Sequence, residues 1–150
     1  MIRGISFEVP NERYPLLYLI TRGIEISKYF WILVEEDVHK GNENYFKKDR
    51  YPGSEFEQVI TDEDCYSVLL NLQAYFAESD FIRPKNYSEF LTGKCQLIVF
   101  VNDCCYIDIY AKDIEIIEKI KGNAQNNGFG SIEYITEAND RRTGSGGFSA

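Results

Sequence analysis

The residues best suited to chemistry occupy an alternating stretch in the second half of the chain. Tyr106, Asp108 and Tyr110 recur at every second position, so in a strand they share one face. Asp103, in the preceding turn, could join them in a polar groove with aromatic walls. Arg142, from a basic patch near the C-terminus, is a side chain suited to holding carboxylate or phosphate. A ligand-binding groove is one interpretation. The simpler one is a solvated sheet face, with the arginine pinning the tail onto an acidic domain.

Nucleophilic or metal-based catalysis has little support in the sequence. The cysteines lack the paired spacing of structural zinc sites. Cys65 and Cys95 are typical of small buried apolar residues, whereas the neighbours Cys104 and Cys105 fall at a predicted hairpin. The single histidine, His39, lies in a polar turn, and a catalytic triad would depend on it alone. We therefore predict no catalytic residue, no metal site and no cofactor.

The charge balance restricts the kinds of partner. Sixteen basic and 24 acidic residues among 150 give a formal net charge of −8. This argues against a nucleic-acid-binding surface and against binding to an anionic membrane, both of which require basic patches. It permits a basic protein partner, although solubility alone also explains it. No apolar stretch reaches the roughly 18 residues of a membrane helix. The N-terminus has no signal-peptide layout, so a cytoplasmic location is expected.

Aromatic residues suggest where a partner would bind. They make up 15% of the chain, and Tyr45, Phe46 and Tyr51 fall in a predicted polar loop over residues 41–53. Exposed aromatic residues of this kind are enriched at protein interfaces. Together with the acidic charge, they favour a non-catalytic protein-interaction module whose partner is an unknown, basic protein or a second copy of the chain. A more specific version is an immunity- or antitoxin-type inhibitor. The alternative is a small-ligand-binding domain or enzyme that uses the groove around Asp108.

The central element that would position these residues is a hairpin followed by a helix. Residues 97–101 are all apolar, which is typical of a strand buried on both faces. Residues 102–103 tolerate turn geometry, and residues 105–110 alternate as a second strand. Asp113 is a plausible N-cap for a helix whose apolar stripe includes Ile114, Ile117 and Ile120. We expect this helix to pack on the hairpin.

The remaining elements complete an α+β prediction. We expect two layers, with a mixed or mostly antiparallel sheet and helices packed on one face. Residues 1–137 are predicted to form a single domain, and residues 138–150 a polar, flexible tail. Further strands are predicted over 2–9, 29–34, 55–60 and 132–136. A helix is predicted between Asn11 and Gly23, and a short helix capped by Asn86. A capping box over 61–64 is predicted to start a short helical turn that leads into a strand.

Several stretches are similar to an uncharacterised bacterial family, domain of unknown function 2691. The resemblance covers almost the whole chain, but the glycine-rich last residues do not resemble the family's ending. It implies no known activity, substrate or partner, so it assigns no functional residue. The stretches that carry it are Gly4-Ile5-Ser6-Phe7-Glu8-Val9-Pro10-Asn11, Asn71-Leu72-Gln73-Ala74-Tyr75, Ile132-Glu133-Tyr134-Ile135-Thr136 and the residues Asn139, Asp140, Arg142 and Thr143.

Overall fold

The fold is built on one open antiparallel sheet, seen in a computed structural model that describes residues 1–144 and 146–148. Within those residues the sheet has eight strands, in the order β3-β2-β5-β6-β7-β1-β8 with β4 also beside β2. The strands are β1 (Ile2–Glu8), β2 (Phe30–Lys40), β3 (Glu43–Asn44), β4 (Arg50–Pro52), β5 (Cys65–Tyr75), β6 (Leu97–Asn102), β7 (Tyr106–Ala111) and β8 (Gly130–Thr136). The helices are α1 (Leu16–Ile20), α2 (Gly53–Val59), α3 (Tyr87–Thr92) and α4 (Ile114–Asn126), with 3₁₀ turns at Ile26–Lys28 and Glu78–Asp80. The α+β class and the mostly antiparallel sheet are confirmed.

The predicted hairpin and helix form as expected. β6 and β7 pair antiparallel through a turn in which Asp103 (φ 50°) and Cys104 (φ 67°) adopt left-handed backbone conformations, as tight hairpins require. The carboxylate of Asp113 accepts a hydrogen bond from the backbone N–H of Glu115 and caps α4. Ile114, predicted in the apolar stripe, is half exposed. The buried stripe of α4 consists of Ile116, Ile117, Ile120 and Ala124. Viewed down the helix axis, Ile114 lies to one side of this stripe.

Both faces of the sheet are covered, but by different material. The first face carries the larger core, which includes buried residues of α1, α2 and α4. The opposite face, here called the second face, carries a smaller aromatic cluster with Phe90 of α3 and Phe148 from the C-terminal segment. The expected packing of helices on one face therefore holds for three helices, and α3 lies on the other.

The C-terminal segment is not a free tail. Among the described residues after Thr136, Asp140 and Phe148 are buried, so the prediction of a flexible tail from residue 138 is wrong for this part. Asp140, a paired acid, and Phe148, an aromatic ring, attach the segment to the sheet, and the glycine-rich composition around them did not predict this. Residues 145, 149 and 150 lie outside the described residues.

Two local predictions on either side of residue 60 are wrong. Residues 55–60, predicted as a strand, belong largely to α2, where Phe56 and Ile60 are four residues apart and bury the same side. The predicted capping box over 61–64 is a turn in which the carboxylate of Asp62 accepts from the N–H of Asp64. Such local side-chain bonds favour turns as well as helix starts, and here β5 follows directly.

The predicted aromatic loop is folded into the core. Tyr45, Phe46 and Tyr51 are only 9%, 6% and 2% exposed, so their expected exposure as an interaction surface is wrong. The rings of Phe46 and Tyr51 lie 6.1 and 5.6 Å from the ring of Phe56, and the hydroxyl of Tyr45 donates to the carbonyl of Val59. β3 and β4 cause this by pairing with β2, which turns the loop back over α2.

The close packing of β1 between its neighbours gives a first testable prediction. A Cβ atom at Gly4 would lie 1.9 Å from the carbonyl oxygen of Ile109, so Gly4→Ala should lower the free energy of unfolding by about 1–3 kcal/mol or more. Gly122→Ala is the matched control, because nothing lies within 4 Å of its added carbon. Because residue 122 lies inside helix α4, Gly122→Ala should instead raise the free energy of unfolding by about 0.5–1 kcal/mol. Urea denaturation measures both, and a Gly4→Ala variant as stable as the native protein would contradict this packing.

Candidate functional site

The second face presents two rows of side chains that run across the strands. The antiparallel register sets each row, because directly paired residues point to the same side. One row mixes acidic, aromatic and amide side chains, whereas the other is mostly apolar. The first row is Glu133, Ser6, Asp108, Phe100 and Asn71, and the second is Ile135, Gly4, Tyr110, Ile98, Gln73 and Ile32.

The alternating residues of β7 share this face, as predicted, but lie in different environments. Tyr106 is 47% exposed, the side chain of Asp108 is 16% exposed and Tyr110 is 1% exposed. The gradient arises because α3 and the C-terminal segment cover only the end of the face that contains Tyr110. Asp103 lies in the exposed hairpin turn and is not among the residues that line the groove described below.

Arg142 pins the C-terminal segment to this hairpin. Its Nε donates to Asp108 Oδ2 at 3.1 Å, and its Nη2 donates to Asn102 Oδ1 at 2.6 Å. Its guanidinium carbon lies 3.8 Å from the centroid of the Phe100 ring, a cation–π geometry. The arginine is therefore held by a carboxylate, an amide and a ring together, which is the pinning role proposed for it from the sequence.

Asp140 makes a second anchor that the sequence did not reveal. Its fully buried carboxylate accepts from Arg3 Nη1 at 3.0 Å, from the hydroxyl of Tyr110 at 2.6 Å and from the backbone N–H of Arg142 at 3.0 Å. Burial and the neighbouring Asp140 carboxylate raise the pKa of the Tyr110 hydroxyl. Arg3 and Asp140 are 137 positions apart, so no local pattern could pair them.

Next to the end of the second face that α3 and the C-terminal segment cover, the face opens into a groove. One depression of about 410 Å³ is lined by Asn102, Tyr106, Asp108, Arg141, Arg142 and three glycines. A smaller one of about 100 Å³ shares Tyr106 and Arg141 and adds Glu8 and Glu133. We call this pair of depressions the carboxylate groove. Glu8 and Glu133 escaped sequence reasoning because only the register of β1 with β7 and β8 brings them beside Asp108.

The smaller depression, which Glu8 and Glu133 line, is chemically suited to a cation. Ionised carboxylates are hydrogen-bond acceptors only, and the ring of Tyr106 provides an aromatic wall to which a cation is attracted. The chain supplies one example itself, since the guanidinium of Arg141 lies 3.8 Å from Asp108 Oδ1 while its side chain remains 72% exposed.

The candidate nucleophiles and metal ligands do not assemble into a site. His39 pairs with Asp37 on β2, and the hydroxyl of Tyr66 lies 3.2 Å from the sulfur of Cys104. Among residues 1–144 and 146–148, no group of three His, Cys, Asp or Glu side chains is arranged to hold a metal ion. In the same residues, no helix has the length and apolar character needed to span a bilayer.

Comparison with known proteins identifies the family. The model of a family described as proteins of unknown function, DUF2691, matches residues 2–145. The chain belongs to this family. A relative, the uncharacterized protein YncE of Bacillus subtilis (strain 168), is 32% identical over 149 residues, which cover 95% of this chain and 97% of the relative. No solved structure matches the chain significantly.

The buried ion pair gives a prediction on stability. Asp140→Asn should lower the free energy of unfolding by about 3 kcal/mol, because it leaves the mostly buried guanidinium of Arg3 without a charged partner. Glu78→Gln is the control: Glu78 also pairs with an arginine, Arg50, but both side chains are about half exposed, so its loss should cost less than about 1 kcal/mol. Urea denaturation of the two variants compares them, and equal losses would contradict the anchoring role of Asp140.

The cysteines give a prediction on reactivity. Burial raises the pKa of the Cys65 thiol to about 11 and that of Cys95 to about 12, so almost no thiolate is present at neutral pH. Cys104 and Cys105 are only partly buried. Iodoacetamide should therefore label Cys104 and Cys105 first, and peptide mass spectrometry reads the order. Labelling of Cys95 in the folded protein as fast as that of Cys104 would contradict the burial of Cys95 just before β6.

Proposed function

We propose that the protein is a non-catalytic protein-interaction module that binds a basic segment of a partner in the carboxylate groove. The observation that carries the proposal is the pair of exposed acids Glu8 and Glu133, which line the same depression beside the ring of Tyr106. Asp108 lies at the edge of the groove, where Arg142 and Arg141 approach its two oxygens. The pairing of β1 with β8 fixes the backbone positions of Glu8 and Glu133, so the two acids together can accept a cationic side chain.

The electrostatics of the chain support a basic partner. A net charge of −8 attracts cationic partners over long range and speeds their association. An exposed ion pair contributes at most about 1 kcal/mol, so affinity requires several acids acting together with the ring of Tyr106. An immunity- or antitoxin-type inhibitor, which covers a basic surface of its target, is the more specific form of the proposal. A cytoplasmic location is part of it, and the four unpaired cysteines support that location.

A small-ligand-binding function at the same groove is the second candidate. The depression of about 410 Å³ is within the size range of small-molecule sites, and its lining offers one acid, Asp108, and two arginines to a charged ligand. An enzymatic version is less well supported. Arg142 holds one oxygen of Asp108 and Arg141 approaches the other, an arrangement poorly suited to a general base, which must reach the proton of a substrate.

A cationic probe tests the proposal directly. Fluorescein-labelled hexa-arginine should bind the native protein at low ionic strength and weaken as salt is added. The double change Glu8→Gln with Glu133→Gln removes two exposed acids of the groove and should weaken binding roughly three- to tenfold. Glu25→Gln, an exposed acid in the loop between α1 and β2, is the matched control and should leave the affinity unchanged. Fluorescence anisotropy measures all three proteins.

Two results would count against the interaction role. Equal affinity of the probe for the native protein and for the double variant would show that the groove does not bind cations. A small molecule retained on the protein purified from its host, detected by native mass spectrometry without a protein partner, would favour the second candidate.

A further inference from the structure

Next to the carboxylate groove, the covered half of the second face holds a pocket that is filled by the chain's own Phe148. The ring of Phe148 lies 4.8 Å from the ring of Tyr110, 5.6 Å from that of Phe100 and 6.3 Å from that of Phe90. The residue is completely buried. We call the pocket formed by these three rings the aromatic seat.

A chain of buried polar side chains reaches the seat through Asn71. The hydroxyl of Tyr75 donates to Gln73 Oε1 at 2.6 Å, Gln73 Nε2 donates to Asn71 Oδ1 at 3.3 Å, and Asn71 Nδ2 donates to the carbonyl of Phe148 at 3.4 Å. All three side chains are fully buried. Within residues 1–144 and 146–148, these hydrogen bonds use one of the two N–H groups of each amide nitrogen. Buried amides carry a desolvation cost that hydrogen bonds must offset, and the carbonyl of Phe148 supplies one of these bonds to Asn71.

Hydrogen bonds to its backbone hold Phe148 in the seat. Its backbone N–H donates to the carbonyl of Lys85, and its carbonyl accepts the long bond from Asn71. Gly147 passes so close to Lys85 that a Cβ atom would lie 2.3 Å from the Lys85 carbonyl oxygen. The backbone N–H of Gly147 donates to the carbonyl of Gly144, so the chain enters the seat through a turn and is anchored there by one ring and by these main-chain contacts.

The spacing along the segment links the two halves of the second face. Arg142 pairs with Asp108 at the edge of the carboxylate groove, and Phe148 fills the seat six residues later. The family match includes every residue of the seat but ends at residue 145, before Phe148. The seat thus belongs to the part of the chain that the family model describes, whereas its present occupant lies beyond it.

We propose that the aromatic seat is a docking site for a partner's polypeptide segment that carries an aromatic residue six positions after an arginine. Phe148 is the displaceable occupant that keeps the seat filled when the partner is absent. The inference rests on the proposed function, because the arginine of the partner segment would enter the carboxylate groove. The aromatic half of the recognition has its own test, so that the two proposals can fail separately.

Phe148 competes with an external segment for the aromatic seat, and this competition determines the expected result. An occupant attached to the same molecule is present at a high effective concentration, and it lowers the apparent affinity for any competing segment in proportion to the time that the seat is filled. Removal of the ring should therefore improve binding of an external segment.

The probe is a fluorescein-labelled peptide that copies residues 138–150. Phe148→Ala in the full chain should bind this peptide at least tenfold more tightly than the native protein does, and Phe148→Leu should bind with intermediate affinity. Phe76→Ala is the matched control, because Phe76 is an aromatic residue that is half exposed outside the seat; this variant should bind as the native protein does. A peptide in which alanine replaces the phenylalanine should bind the Phe148→Ala protein at least tenfold more weakly. Fluorescence anisotropy gives the affinities, and circular dichroism melting confirms that each variant is folded.

Equal binding of the peptide to native and Phe148→Ala proteins would overturn the inference, as would equal binding of the peptides with and without the aromatic ring. If Phe148→Ala does not melt cooperatively, Phe148→Leu replaces it, and equal binding by Phe148→Leu and native protein would be decisive against the seat. A native dimer that is lost in either variant would overturn the inference in favour of a second copy as the occupant.

A peptide with alanine in place of both arginines separates the two proposals. If it binds Phe148→Ala as well as the unchanged peptide does, the aromatic seat stands and the cation-binding proposal fails. If the arginines matter and the aromatic ring does not, the groove stands and the seat fails.

Discussion

The arrangement of the second face depends on one buried carboxylate. Asp140 brings together Arg3 at the start of β1, Tyr110 on β7 and the backbone that leads into Arg142. A buried acid is costly unless a charged partner and further hydrogen bonds satisfy it, and here three donors do so. The same contacts that satisfy the acid therefore fix the path of the C-terminal segment across the sheet.

From this anchor, the second face divides into two environments. Arg142 contacts Asp108 and the ring of Phe100, and farther along the segment Phe148 fills the aromatic seat. The seat is buried and lined with rings and the amide of Asn71, whereas the neighbouring groove is open and lined by acids and arginines. A surface of this type, with an aromatic anchor beside charged acceptors, has the composition common at the centres and rims of protein interfaces.

Local sequence signals predicted the local structure well. The apolar run of β6, the alternation of β7 and the caps at Asp113 and Asn86 each depend on neighbours a few residues apart, and together they led to the α+β class. Apart from the two local errors on either side of residue 60, the failures involve contacts between distant segments. The burial of Tyr45 requires β3 to pair back onto β2, and the docking of the segment after Thr136 requires a pair such as Arg3 and Asp140. Strand register, which no composition or periodicity specifies, also decides that Glu8 and Glu133 lie beside Asp108.

The position of β1 has a consequence for how the protein is made. β1 precedes the other described strands along the chain, yet its two neighbours in the sheet are β7 and β8, which come after all the others. Until residues 106–136 emerge, the nascent chain carries an apolar strand whose two edges have no hydrogen-bonding partner. Such exposed edges promote aggregation, and contacts between sequence-distant strands form slowly. The sheet should therefore be completed only after residues 106–136 have been synthesised, which makes shielding of β1 by a chaperone until then advantageous.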